Sequence, residues 1–325
     1  MSATTFVYSE KIFAMVKVAI AGGSGVVGQS LVDILASQSK HEGIILTRRI
    51  SSLDLGLPSF VVNYDDITSL KEFLEEHKVE TIISAFGINA TSLSRSQANL
   101  IKAADASSVT KRFIPSSFAI RYPRDGPAIL PPLQSYFDSL ESLRTSGLEW
   151  TVVHNGIFLD YFFPPTGIKT HYDHGTIVVD MLNKAAGIPG TGDEPIVFTY
   201  TFDVAKFVIA ALDLKIWPEE LRILGTKLTF NELVRLGEKA RGEKFTVAYD
   251  DMEKLRRFEI TELPGHKKDY SKFPKGVLLP FLSIFQRWMA EGYGDLEYKG
   301  SLNEMFPNIR TLTAQELMEC YWKEE

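Results

Sequence analysis

"GGSGVVG", residues 22–28, is the stretch on which the fold turns. Gly22, Gly25 and Gly28 are spaced G-x-x-G-x-x-G. They follow "MVKVAIAGG" (15–23), a short run rich in β-branched residues that reads as a buried strand. They open "VVGQSLVDILASQ" (26–38), in which Val27, Leu31, Ile34 and Leu35 share one helical face. In that setting glycines allow a tight turn, let the backbone approach a pyrophosphate, and let helix and strand pack closely. The helix N-terminus then presents free N–H groups and a partial positive charge to the phosphates. Gly22, Ser24, Gly25, Val26, Val27 and Gly28 are therefore the expected phosphate cradle of a dinucleotide.

The same alternation continues outward. "GIILTRR" (43–49) and "FVVNYDD" (60–66) read as strands, "SLKEFLEEHK" (69–78) as a helix, and "ETIISAFG" (80–87) as a strand. A helix over 96–107, a strand over 111–118, a helix over 135–147 stopped by Gly147, and a strand over 148–158 follow. Strands alternating with helices predict a parallel sheet of βαβ units. The expected class is α/β: a Rossmann-like doubly wound sheet with a smaller, partly helical C-terminal substrate domain. Residues 1–160, with a returning segment at about 196–215, would form the first, and 161–325 mainly the second. Helices over 201–214 and 229–242 each open with a threonine suited to capping.

Arg48 and Arg49 end the second strand, where an acidic residue would bind a ribose 2′-hydroxyl. Arginine there favours a 2′-phosphate, so NADP(H) is expected over NAD(H). The chain has 325 residues, 23% of them charged, with a formal net charge of −6. That charge leaves no electrostatic footprint for nucleic acid or an anionic membrane. No apolar run reaches the length of a membrane span, and the single cysteine, Cys320, fits a reducing, cytoplasmic setting and a packing role. "THYDH" (170–174) holds His171, Asp173 and His174, but no further ligand cluster accompanies it and no metal is expected.

"AGGSGVVG" (21–28), "RFIPSSF" (112–118), "SGLEWTVVHNGIF" (146–158), "TFDVAKFV" (201–208) and "LNEMFP" (302–307) resemble the NmrA-like and isoflavone-reductase-like branch of the atypical short-chain dehydrogenases. The resemblance implies a two-domain NADP(H)-dependent reductase with a small-molecule substrate, as a monomer or homodimer. It places the phosphate loop at Gly22, Gly25 and Gly28 and the 2′-phosphate arginine at Arg48. It puts Asn63 on the adenine side, and Ala85, Phe86 and Gly87 beside the adenine ribose. Ser116 falls near the nicotinamide ribose, with Asn155, Gly156 and Phe158 at the nicotinamide.

Two departures from the family pattern bear on the chemistry. Its "SEFG" is "SSFA" here, so Ser117 replaces Glu and Ala119 replaces Gly. Tyr136 stands at the position of the family's catalytic lysine, and the chain contains no Tyr-x-x-x-Lys. Reduction of a C=O or C=N bond needs a proton as hydride arrives, so Tyr136, Ser117, His154 and Asp160 are the candidate donors. An acidic group at Asp160 would also suit a cationic, alkaloid-like imine, and Phe158, Tyr161, Phe162 and Phe163 an aromatic substrate. The leading reading is a reductase of a C=O, C=N or activated C=C bond in a small hydrophobic, aromatic or alkaloid-like secondary metabolite. A cyclase or isomerase using bound cofactor as scaffold, and a non-catalytic redox-sensing regulator, stand beside it.

Overall fold

The structure is a computed structural model describing residues 15–49, 54–87, 92–173 and 175–322. The first half alternates as the glycine motif implies. β1 (Lys17–Ala21), α1 (Val26–Ala36), β2 (Glu42–Thr47), β3 (Ser59–Val61), α2 (Ile67–Glu76) and β4 (Thr81–Ser84) come first. A π-helical turn, Ser92–Gln97, leads into α3 (Ala98–Ala106), then β5 (Arg112–Ile114), α4 (Gln134–Arg144) and β6 (Glu149–Trp150). The six strands form one parallel sheet in the order β3-β2-β1-β4-β5-β6. The strand order reverses beside β1, so the crevice at the carboxyl ends of β1 and β4 is where such sheets bind ligands.

The rest of the chain comprises β7 (Val152–His154), β8 (Ile157–Phe158), β9 (Val179–Asp180), β10 (Ala185–Pro189), β11 (Ile196–Thr199), α5 (Thr201–Ala211), β12 (Glu220–Arg222) and β13 (Thr226–Leu228). It continues with α6 (Phe230–Arg241), β14 (Thr246–Asp250), α7 (Met252–Arg256), α8 (Lys275–Ala290), α9 (Leu302–Met305) and α10 (Ala314–Tyr321). β1 is buried on both faces, which is why it reads as an unbroken apolar run. On one face Ile20, Leu31 and Leu35 meet Val204, Phe207 and Val208 of α5, together with Leu302. On the other, Ala19, Ile44 and Ile82 pack with Leu70, Leu100 and Leu140 from α2, α3 and α4. Trp288 and Trp322 are buried in that second cluster, where the Trp322 indole donates to Phe162 O at 2.7 Å.

Several elements differ from their sequence expectation, each for a local reason. The expected strand over 148–158 is three pieces: β6 closes the main sheet, β7 pairs with β12, and β8 pairs with β11. The break falls at Gly156, whose φ is +70° and whose position leaves no room for a side chain. The expected strand over 60–66 is only Ser59–Val61, because Asn63 and Asp66 fold the next residues into a turn and a helix cap. Gly147 does not stop α4, which ends at Arg144; the Gly147 N–H donates instead to Asp105 Oδ1 at 2.8 Å. Thr229 caps α6 in a reciprocal capping box with Glu232, as expected. Thr201 does not cap α5; Tyr200 holds that position and the Thr201 hydroxyl serves Asp160. Cys320 is exposed rather than packed.

A Cβ at position 156 would lie 2.0 Å from Val197 O, on a backbone already left-handed. Gly156→Ala is expected to destabilise the protein by about 2 kcal/mol or more. A thermal melt within a degree of the parent would show that the break between β7 and β8 tolerates a side chain.

Candidate active site

The glycine loop is built for close approach. Gly25 N donates to Gly22 O at 3.0 Å and Gln29 N to Gly25 O at 2.7 Å, closing the turn into α1. A Cβ at Gly22, where φ is +84°, would sit 2.8 Å from Ala85 O, and one at Gly28 would sit 2.1 Å from Gly22 O. The loop therefore lies against the carboxyl end of β4 with no space for side chains. No side chain caps α1 and its first turn holds no acidic residue, so its N–H groups suit an anion. Ser24 lies on the loop itself and Val26 opens α1, while Val27 lines the main cavity. These features fit a dinucleotide pyrophosphate.

A second cleft lies beyond the end of β2, lined by Arg48, Asn63, Tyr64, Asp65, Ser69 and Arg95, among others. Thr47, Arg48 and Arg49 put no carboxylate at the strand end, and Arg48 is exposed towards the cleft. Arg49 is exposed and does not line it. Asn63 Oδ1 accepts from Asp65 N at 3.0 Å, fixing the turn that carries Tyr64. The buried Tyr64 hydroxyl donates to Leu46 O at 3.1 Å, and its ring meets Phe86 edge-on with centroids 5.3 Å apart. Tyr64 and Arg95 escaped the sequence reading. Tyr64 lies inside a segment already singled out, whereas Arg95 comes from the π-helical turn and reaches Asp65 Oδ1 at 2.6 Å.

Between the loop and α8 lies a cavity of about 700 Å³. Ala85, Phe86, Gly87, Ser116, Gly156 and Phe158, all candidate cofactor-site residues, line it. Val277, Leu278, Phe281, Leu282, Phe285 and Met289 of α8 form an apolar opposite wall, with the exposed Phe273 and Val277 at the rim. Tyr122, Tyr161 and Tyr172 complete it. Among the described residues no charged side chain lines this cavity. Two polar groups of its lining residues are buried without partners among the described residues, the Tyr122 hydroxyl and Gln286 Oε1.

The candidate proton donors do not meet there. Tyr136, expected at the family's lysine position, is buried on α4 behind Tyr122, with ring centroids 5.2 Å apart, and does not line the cavity. Ser117 lines it, but its hydroxyl is engaged by the backbone: it accepts from Val153 N at 2.9 Å and donates to Pro115 O at 3.2 Å. His154 is buried outside the cavity, 3.8 Å from Glu220. Burial holds its imidazole down at about 4, against the opposing pull of Glu220, so it is neutral at pH 7. Asn155 is also buried away from the cavity, its N–H donating to Ala119 O at 3.1 Å.

Asp160 is fully buried. Its carboxylate accepts from Thr201 N at 2.9 Å, the Thr201 hydroxyl at 2.6 Å and the Thr170 hydroxyl at 2.7 Å. Burial raises its pKa and these hydrogen bonds oppose the rise. Thr170 Oγ1 in turn accepts from Tyr172 N at 3.1 Å, so Asp160 anchors the loop that brings Tyr172 to the cavity. The same loop is latched to α1 through Asp33, which pairs with Lys169 at 2.5 Å and His171 at 3.1 Å. His171 thus has a structural partner, His174 lies outside the described residues, and no metal-binding group of three occurs among the described residues.

A six-stranded parallel sheet with a glycine loop at its switch point defines a dinucleotide-binding α/β scaffold. The chain belongs to the NmrA-like family, which it matches over residues 15–311. It is 30% identical to the oxidoreductase swnN of Metarhizium robertsii, over 95% of this chain and 98% of that protein. It is 31% identical to the oxidoreductase BOA1 of Botryotinia fuckeliana, over 91% of this chain and 96% of that one. Its fold matches that of leucoanthocyanidin reductase from Vitis vinifera, solved in a binary complex with NADPH, with a TM-score of 0.70 at 18% identity. That match covers 93% of this chain and 98% of the other.

The state of His154 has a measurable consequence. Its native pKa of about 4 lies below the unfolded value of about 6.5, so acid protonates the unfolded chain first. The stability it contributes is present above about pH 6.5 and is lost as pH falls towards 4. His154→Gln should reduce the steepness of the loss between these limits by about one proton, read from urea midpoints across that range. An unchanged slope would mean that His154 titrates normally in the folded protein.

Proposed function

We propose that the protein is an NADPH-dependent reductase of a small, neutral, largely apolar metabolite, aromatic rings included. The observation that carries this reading is the cavity, which runs from the candidate cofactor loop to the apolar wall of α8 without a charged side chain among the described residues. Its size falls within the usual range for a small-molecule site. A regulator without a substrate would have no use for it. The relatives named oxidoreductases support net redox chemistry over a scaffold role for the cofactor.

In this reading Gly22, Gly25 and Gly28 hold the pyrophosphate and Arg48 the 2′-phosphate, with Phe86, Gly87 and Ser116 along the riboses. Gly156 and Phe158 border the nicotinamide, which supplies hydride when bound. Ser116 is fixed for such a role: its hydroxyl donates to Phe86 O at 2.6 Å and its N–H to Gln97 Oε1 at 2.9 Å. The lining also argues for charge neutrality in the substrate. A cationic imine would be desolvated with no carboxylate to meet it, since Asp160 is engaged elsewhere. Gln286 offers an unpaired acceptor to a substrate hydroxyl, its Nε2 already donating to Ile177 O at 3.1 Å.

Two measurements test this. Arg48→Ala should weaken NADPH binding by about ten- to a hundredfold and leave NADH binding within about twofold, since only NADPH carries the extra phosphate. Equal losses for both would sink the NADP assignment. Across a panel of aromatic ketones and enones, NADPH should be oxidised by neutral members and not by their carboxylated or aminated analogues. Preferential turnover of a charged analogue would overturn the substrate class.

A further inference from the structure

We propose that Tyr122, Tyr161 and Tyr172 form an oxygen-binding, proton-donating site in the cavity, with Tyr122 anchoring a substrate carbonyl oxygen and Tyr161 protonating it. This rests on the reductase reading above and specifies the reacting group of its substrate.

Tyr122 follows β5 and lies between α4 and α8. Its ring meets Tyr136 at 5.2 Å, Trp288 at 6.0 Å and Phe285 at 6.4 Å between centroids, all edge-on. These contacts fix the ring, yet the buried hydroxyl has no hydrogen-bond partner among the described residues. Buried hydroxyls are nearly always paired, and an unpaired one carries a desolvation penalty. An acceptor on a bound molecule removes that penalty. Burial raises the phenol's pKa, with Tyr136 and Tyr161 adding to the effect, so the group stays a neutral O–H donor. Its complement is therefore an uncharged acceptor such as a carbonyl oxygen.

Tyr161 comes from the short turn Leu159–Phe162 after β8, and Tyr172 from the loop latched to α1. Their ring centroids are 4.8 Å apart, and the Tyr172 ring lies 5.4 Å from that of Phe158 on the cofactor side. The three phenols are close enough to influence one another's ionisation. Burial raises both Tyr161 and Tyr172, so each holds its proton at neutral pH. Both line the cavity with their rings packed together, and Tyr172 favours the Tyr161 phenolate, whereas Tyr161 disfavours that of Tyr172. The Asp160 carboxylate works against the Tyr161 phenolate, with a smaller effect than the Tyr172 hydroxyl. Asp160 positions the pair: it precedes Tyr161 in the chain and holds Thr170, which accepts from Tyr172 N.

The step balances as a ketone reduction. A bound reduced nicotinamide would supply hydride to the carbonyl carbon; as the C=O π pair moves onto oxygen, that oxygen takes the Tyr161 proton. The Tyr161 phenolate, held by the Tyr172 hydroxyl, recovers a proton from water. Tyr122 donates to the oxygen throughout and so stabilises the charge that develops there. No lysine is required, and Tyr136 serves as the backing of Tyr122.

The test uses 2-acetylnaphthalene labelled with ¹³C at the carbonyl, bound to the full chain and followed by difference infrared spectroscopy. The carbonyl stretch should move to lower frequency than in hexane, and the shift should disappear in Tyr122→Phe and persist in Tyr136→Phe. Tyr161→Phe should keep most of the shift while ketone turnover falls about a hundredfold or more. Should Tyr122→Phe fail to fold, 3,5-difluorotyrosine at position 122, a stronger acid of nearly the same shape, should deepen the shift. Failure of 2-acetylnaphthalene to bind, an unshifted carbonyl, or a shift unchanged by both replacements at 122 would overturn the site. NADPH binding is measured on the same samples by fluorescence. Normal binding beside an unshifted carbonyl removes the tyrosine site alone, whereas a wild-type protein indifferent to NADPH removes the reductase reading itself.

Discussion

The carboxylate of Asp160 is fully buried, and three hydrogen bonds from Thr170 and Thr201 satisfy it there. A buried charge is tolerated only when its lone pairs are met, so this contact constrains everything attached to it. Through Thr201 it fixes the start of α5, which lies on α1 and covers one face of the sheet. Through Thr170 it fixes the loop that carries Tyr172 to the cavity. Directly following it in the chain is Tyr161. One anionic side chain thus ties the returning segment, the substrate-side loop and the end of β8 into a single arrangement.

That arrangement explains how the chain can lack the lysine expected on α4. Tyr136, the α4 residue expected at that position, is turned to packing, edge-on against Tyr122. The cavity beyond it is apolar, and no cation lines it among the described residues. An ammonium would suffer desolvation in such surroundings, whereas neutral phenols can donate hydrogen bonds there without charge. The absence of ionised groups and the choice of tyrosine are two aspects of one design.

Much of the fold was legible because its determinants are local. The glycines at 22 and 28 admit no side chain, so the strand, turn and helix around the motif follow from its spacing. Arg48 was legible as the residue after β2, and the structure lays it, exposed, along the second cleft. The break of 148–158 was not legible, because it arises from Gly156 passing against Val197 O, a contact between distant segments. Of the cavity tyrosines, Tyr161 was expected beside Phe158, whereas Tyr122 and Tyr172 escaped for a related reason. The three come from separate stretches, and only the fold shows that Tyr122 reaches the cavity while Tyr136, His154 and Asn155 do not. Ser117 and Asp160 look chemically apt in sequence, but their partners prove to be backbone and threonines.

The central claim is that this scaffold transfers hydride from NADPH to a neutral metabolite. The most direct test incubates the protein with NADPH deuterated at C4 on each face in turn and an extract of the cells that make it. Mass spectrometry then follows metabolites and cofactor together. The account predicts deuterium from one face only, appearing in an uncharged metabolite as NADP⁺ accumulates. A metabolite transformed only in the presence of cofactor, yet carrying no label from either face, would contradict it.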